Sequence, residues 1–552
     1  MFIDNIKMIE VLYNIAVNDK TNAQAALNRY TSLVAKSAHT SIRKYQLYRR
    51  ALEIASDVKV QNRLINLLGE THTYQALMLV EKYMDNKATA EAAAEAVRTI
   101  ASKNSENFGG EPVRKALEKA IACFKEAGHA DAGYAIDDIN AILQRLPQAA
   151  YIPIFGNAEW TVIALNPAQK ASMNPKKIKK HEALTATTSD LWKITENGIA
   201  YTGGKNAILG TGNYENFELW FEWKGTGKAG LGVRSIRQID LGGDKSGALS
   251  GNIKTKNTPE KVADNIAGEW NTVYVKVLND RVTVSVNGVV TATNIILENS
   301  CDRNIPAYVK GQLMLIGEGT PVEYREMYIR ELPSTPKFNL PAEEAKEGFE
   351  ILFDGTSMHK WTGNTTDYVP VDGTIYVTAQ YGGSGNLYTV KEYSDFVFRF
   401  EFAFMREGVN NGVGIRTPMG VDAAYEGMEI QILDHDAPIY KGLREYQQHG
   451  SVYGIIPAKR VKFPALGEWN TEEIRAVGDR ITVTVNGEII LDGNIREACQ
   501  GHNVSEDGST KNPHTVDRKN HPGLFNKSGH IGFLGHGAGV KFRNIRIKDL
   551  SK

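Results

Sequence analysis

Cysteine is scarce in this chain. Cys123, Cys301 and Cys499 are its three cysteines in 552 residues, they lie far apart, and none belongs to a C-x-x-C pair. That excludes a disulfide framework and a cysteine-rich metal site, and leaves room for one bridge at most. Excess charge is also missing: 64 Lys and Arg face 64 Asp and Glu. A general nucleic-acid binder needs a basic face or stripe, so that class is set aside. No run of 18 uncharged apolar residues occurs, so no membrane-spanning helix is expected. Met1-Phe2-Ile3-Asp4 shows no basic stretch leading into an apolar core. No secretory leader is visible, and the protein is either cytoplasmic or begins after a removed leader. Glycine, by contrast, is plentiful at 51, as a turn-rich β protein requires. The length points to three or four domains.

Residues 1 to about 148 carry helical periodicity. Ala135, Ile139, Ile142, Leu143 and Leu146 fall on one face of a helix that Pro147 stops, and Ile42, Tyr45, Tyr48, Leu52 and Ala55 repeat the pattern. About eight helices of 12–16 residues fit the segment, stacked as antiparallel pairs in a small HEAT-like solenoid. No catalytic constellation is found in them. A scaffold that docks a protein partner or mediates oligomerisation is the expected role.

After Pro147 the period changes to two. Phe217, Leu219, Phe221 and Trp223 alternate with polar neighbours, and so do Phe396, Phe398, Phe400 and Phe402. These are half-buried strands, and strands with glycine-rich turns continue to the end with no convincing helix. An internal repeat then becomes visible. Gly268-Glu269-Trp270-Asn271 recurs as Gly467-Glu468-Trp469-Asn470, and the strand and Asn-Gly hairpin Asp280–Gly288 recur as Asp479–Gly487. Gly230–Arg234 likewise matches Gly412–Arg416. Residues 150–333 and 348–552 are therefore two copies of one β-sandwich, joined by a linker carrying Pro333, Pro336 and Pro341.

The second copy is the longer one, with insertions within about 417–448 and 488–530. Long loops on a rigid sandwich usually carry function. Polar residues gather in this copy. Glu429 and Gln431 point away from Met428, Ile430 and Ile432. Arg416 likewise faces away from Val413 and Ile415, His449 and Tyr453 share a face, and His536 sits between two glycines. The first copy offers Gln238, Ser246, Ser250 and Glu318 where the second has Glu429, His449, Tyr453 and His536; Arg234 alone keeps the counterpart of Arg416. Asp434-His435-Asp436 reads as a solvated turn. His502, His514 and His521 have spacings that fit no structural metal site, so neither metal nor cofactor is expected.

The second copy resembles the 3-keto-disaccharide hydrolase family. The resemblance runs from Phe349-Glu350-Ile351-Leu352-Phe353-Asp354-Gly355 and Trp361 through Tyr425–Asp434, Gly450–Gly454 and the G-E-W-N turn to His536-Gly537 and Phe542–Ile547. Ala538 departs from it, where an acidic residue is usual, as does His449, where a small or hydroxyl residue is common. The resemblance implies a concanavalin A-like jelly roll in each copy, a periplasmic or secreted protein, and a substrate glycoside already oxidised at carbon 3. The ketone acidifies the carbon 2 proton. A base removes it, the anomeric substituent is eliminated, and water addition completes a net hydrolysis. Glu429, His536 and His449 are the expected catalytic residues, and Arg416, Gln431, Asp434 and Tyr453 the expected substrate contacts. The first copy is expected to be inactive. Two rivals remain, a lectin-like module without catalysis and an ordinary glucanase. The latter is weakened because its E-x-D-x-x-E strand reads Glu429-Ile430-Gln431-Ile432-Leu433-Asp434 here.

Overall fold

A computed structural model describes residues 5–128, 131–252, 255, 257–301, 307–334, 337–356, 358, 360–365, 367–377 and 385–551. Met1–Asp4 at the N-terminus and Pro336 of the expected linker lie outside the described residues. The chain divides into two compact units: Met1–Ser250, Asn257–Ile295 and Gly311–Leu332 form one, and Gly251–Lys256, Ile296–Lys310 and Pro333–Lys552 the other.

Among the described residues, the first unit begins with eight α-helices, from Asn5–Asn18 to Ala132–Gln144. Their apolar stripes turn inward, burying Tyr45, Leu64, Leu77, Val97, Leu117 and Ile142 completely. Thr40, Asp57 and Thr73 each cap a helix by accepting a backbone N–H. No helix among the described residues is long and apolar enough to cross a membrane.

One side of these helices is committed to the first sandwich. Gln46 donates to Thr272 Oγ1 at 2.8 Å and Asn287 Oδ1 at 2.7 Å. Arg49 pairs with Glu326 at 3.1 Å, and Arg43 and Arg50 both reach Glu269 at 3.0 Å. The Asn287-Gly288 hairpin turn that marks the repeat is thus a contact for the helical region, with Thr40 Oγ1 donating to the Asn287 carbonyl at 2.6 Å.

Among the described residues, each copy is a two-sheet antiparallel sandwich, eight strands on five. In the second copy the five-stranded sheet runs Trp361–Gly363, Leu387–Tyr393, Gly529–Phe533, Asn410–Thr417, Met428–Leu433. Its eight-stranded partner contributes Phe396, Phe398, Phe400 and Phe402, all essentially inaccessible. The rings of Phe533 and Phe542 stack across the sheets with centroids 3.9 Å apart. Each such ring contributes about 2–3 kcal/mol by leaving water. The expectation of no helix after Pro147 is corrected by Pro167–Ser172 and Pro175–Ala186. Both open on an Asn cap, Asn166 or Asn174, with proline at the first helical position, where its missing N–H costs nothing. Pro175–Ala186 buries no residue and so shows no apolar stripe.

Cys123 and Cys499 are free thiols.

Candidate functional site

Strands Asn410–Thr417 and Met428–Leu433 pair so that Gly412 faces Gln431 and Gly414 faces Glu429. Alternation sends Met428, Ile430 and Ile432 into the core and Glu429 and Gln431 to the other face of the sheet. That face is not open to water here: Glu429 and Gln431 are each only 5 % exposed. The absence of a side chain at Gly412 makes room for the carboxylate, because a Cβ there would stand 2.3 Å from Glu429 Oε1. In the amide orientation that satisfies its surroundings, Gln431 donates to Glu429 Oε1 at 2.9 Å and to the Asn411 carbonyl at 3.3 Å.

His536 completes the arrangement. Its Nε2 lies 3.6 Å from Glu429 Oε1, with the imidazole 46 % exposed and the carboxylate 6 %. The histidine is the group that solvent reaches, and the carboxylate lies behind it. Hydrogen bonding to Glu429 raises the His536 pKa above the ordinary histidine value. Burial opposes that rise, and the charges of Glu429 and Asp422 add to it. The loop carrying His536 is tied down by Gly535 N–H on Asn386 Oδ1 at 3.0 Å and by Arg406 Nε on the Ala538 carbonyl at 3.0 Å.

Tyr453 arrives on an adjoining segment, its N–H on the Glu429 carbonyl at 2.9 Å. Its half-buried phenol accepts from Gln447 at 3.4 Å, and burial raises its pKa. Two residues not anticipated from sequence stand on the same side. Lys519, from the second insertion, donates to the Tyr425 hydroxyl at 2.7 Å. The Tyr425 ring packs on His521 with centroids 4.9 Å apart. Tyr425 lies inside the resemblance motif but as one aromatic among many, and Lys519 has no local signature, so only topology joins them.

Three expected site residues are placed elsewhere. Arg416 adopts a left-handed φ of 49° where the pairing register shifts, and its guanidinium turns from the Glu429 face. It donates to the carbonyls of Ser394 and Gly478, both at 2.7 Å, and to Asp395 at 3.0 Å. Arg234 does the same in the first copy, with φ 51° and donation to the Glu215 carbonyl at 2.8 Å and Asn216 Oδ1 at 3.1 Å. The arginine persists in both copies because both sandwiches need that clamp.

His449 is fully buried. Its Nδ1 accepts the Leu433 N–H at 3.1 Å, and its Nε2 lies 3.2 Å from Glu472 Oε2, itself fully buried. Its ring lies 4.9 Å from that of Phe463. In the first copy Ser246 accepts the equivalent N–H, that of Gly242, at 3.1 Å, and Val273 fills the place of Glu472. The position caps a backbone group in both copies. Asp434, finally, accepts the Gly408 N–H at 2.9 Å and ties together the ends of the two strands that lie opposite their connecting loop. It lies five residues from Glu429, about 16 Å along a strand.

The first copy differs where the site is built. Its strand register places Arg237 opposite Gly232, the place of Glu429, because a register shift admits one extra residue, Gln238. That corrects the expected match of Gln238 to Glu429. Glu318 replaces His536 and Ser250 replaces Tyr453. Among the second insertion's histidines, His521 is apart from the others, on the Ala424 carbonyl at 2.9 Å and Asp517 at 3.1 Å. The His502 and His514 rings lie 4.5 Å apart.

The sequence profile of the 3-keto-alpha-glucoside-1,2-lyase-like domain matches residues 171–330 and 348–548, that is, both copies. The chain belongs to this family. A 3-keto-disaccharide hydrolase of Bacteroides thetaiotaomicron is 27 % identical over 256 residues, covering 40 % of this chain and 86 % of that protein. A solved structure of a candidate glycosyl hydrolase from Parabacteroides distasonis is 25 % identical and covers 39 % of this chain and 100 % of its own, with a TM-score of 0.32. A second from the same organism is 24 % identical, covers 37 % of this chain and 99 % of its own, and has a TM-score of 0.32.

Proposed function

We propose that the second copy cleaves glycosides bearing a ketone at carbon 3, with His536 as the acid–base group and Glu429 as the residue that positions it. The observation that carries this reading is an accessible imidazole resting on a buried carboxylate, present in one copy and replaced in the other. Neutral His536 takes the carbon 2 proton, leaving an enolate on the carbon 3 oxygen. The carbonyl then re-forms, a double bond forms between carbons 1 and 2, and the bond from carbon 1 to the aglycone oxygen breaks. The imidazolium returns its proton to that oxygen. Addition of water across the new double bond gives the net hydrolysis. With Arg416 engaged in its clamp, Lys519 and the Tyr425 and Tyr453 hydroxyls are the donors assigned to the enolate oxygen.

Membership of the family and the name of the Bacteroides relative support the substrate class. The glucanase alternative loses support because Asp434, at the place of the last acid of its strand motif, is turned onto Gly408, while a retaining pair needs carboxylates about 5 Å apart. The division into residues 1–148, 150–333 and 348–552, the concanavalin A-like class of the sandwiches and a periplasmic or secreted location belong to the same reading. The first copy is assigned a structural or sugar-binding role. Incubation with a 3-keto glucoside and with the unoxidised glucoside tests the function. Aglycone release from the keto sugar alone supports it; release from neither favours a lectin, and release from the unoxidised glucoside a glucanase.

A further inference from the structure

The second insertion folds into a site of its own. Among the described residues, His502, Glu506 and His514 are the one group of three metal-ligating side chains whose donor atoms all lie within 4.8 Å of one another. Two further features make this more than a chance surface cluster. Asn512 is completely buried. Its Nδ2 donates to the His502 carbonyl at 2.8 Å and its Oδ1 accepts the His514 N–H at 3.0 Å, so one side chain fixes the backbone of both histidines. His514 Nδ1 faces Gln500 Oε1 at 3.2 Å. The amide oxygen can only accept, which makes Nδ1 the protonated nitrogen and leaves the Nε2 lone pair for a ligand. Orientation of a ligating imidazole through its other nitrogen is the usual support of a metal site. His502 Nδ1 lies 3.1 Å from Glu506 Oε1, and His502 and Glu506 are 37 % and 67 % exposed, so an ion reaches the cluster from solvent.

We propose that His502, Glu506 and His514 bind one divalent cation of the zinc class. Two imidazoles and a carboxylate suit Zn²⁺ and its borderline neighbours, while magnesium and calcium prefer all-oxygen sites. Water completes the coordination. The site lies in the same insertion as Lys519, so the ion braces the loop that brings Lys519 to Tyr425, without touching substrate.

The test is calorimetric titration of the metal-stripped full chain with Zn²⁺ alone, repeated with Mg²⁺. One Zn²⁺ per chain is expected, with affinity lowered at least ~100-fold in His502→Gln/His514→Gln and about 10–100-fold in Gln500→Ala, whose side chain does not ligate. Far-UV circular dichroism establishes that the variants are folded. Absence of saturable 1:1 Zn²⁺ binding overturns the proposal. So does equal affinity in the wild type and the His502→Gln/His514→Gln variant, or tighter binding of Mg²⁺ than of Zn²⁺.

Discussion

Replacing Gly412 by alanine places a methyl group against the carboxylate on which the site rests. The new Cβ would stand 2.3 Å from Glu429 Oε1 and 3.0 Å from its Cδ, whereas ordinary contact begins at 3.4 Å. The carboxylate must therefore withdraw by about 1 Å, and its 3.6 Å approach to His536 is disturbed. A displacement of that size in a catalytic array costs about 10²-fold in rate. The fold loses little, because what yields is the end of a side chain and Gly412 has no left-handed φ that alanine would resist. The first copy supplies the control: at Gly230 the nearest atom to a new Cβ is Ile316 Cβ at 3.4 Å. Gly412→Ala should lower kcat/KM on a 3-keto glucoside by about 100-fold with a melting temperature close to that of the wild type, and Gly230→Ala should change neither. Wild-type turnover in Gly412→Ala would refute the role given to Glu429.

Four further outcomes are expected. Activity should rise with pH as His536 loses its proton, and Glu429→Gln should move that rise to lower pH, because the group that raises the pKa is gone; an unmoved pH profile would remove Glu429 as the cause. Because the His536 pKa is raised in the fold, the pair's small stabilisation is present below about pH 6.5 and fades as pH rises through the raised value, which denaturant titration at several pH values reads. His449→Ala should cost about 3–5 kcal/mol by leaving Glu472 buried without its partner, while His449→Ser with Glu472→Val, the first copy's combination, should recover most of it and keep turnover per folded molecule. Arg416→Ala and Arg234→Ala should each destabilise the protein by about 2–5 kcal/mol, through the loss of several charged hydrogen bonds made by a buried guanidinium, measured by denaturant unfolding.

Periodicity and the repeat made the helical region, the two sandwiches and the Glu429 face legible, since strand alternation alone puts Glu429 and Gln431 together. His536, between its flanking glycines, was legible as a loop residue with room for a ligand; its approach to Glu429 is set by the strand order, in which one strand, Asn410–Thr417, separates Gly529–Phe533 from Met428–Leu433. Arg416 misled because a left-handed residue at a register shift breaks the alternation on which its facing was inferred. His449 misled because a polar residue that accepts a backbone N–H under a strand looks, in sequence, like one that faces a site. Lys519 and the His502–His514 approach lie in an insertion whose fold is set by side-chain turns such as those of Asn512, which leave no periodic signal.

The most direct measurement is solvent deuterium exchange at carbon 2 of a 3-keto glucoside, followed by proton NMR together with aglycone release, for the wild type and His536→Ala. The expected result is deuterium at carbon 2 and aglycone release with the wild type, both reduced at least ~100-fold in a folded His536→Ala. Release of aglycone by His536→Ala at the wild-type rate, or hydrolysis of the unoxidised glucoside by the wild type, would contradict it.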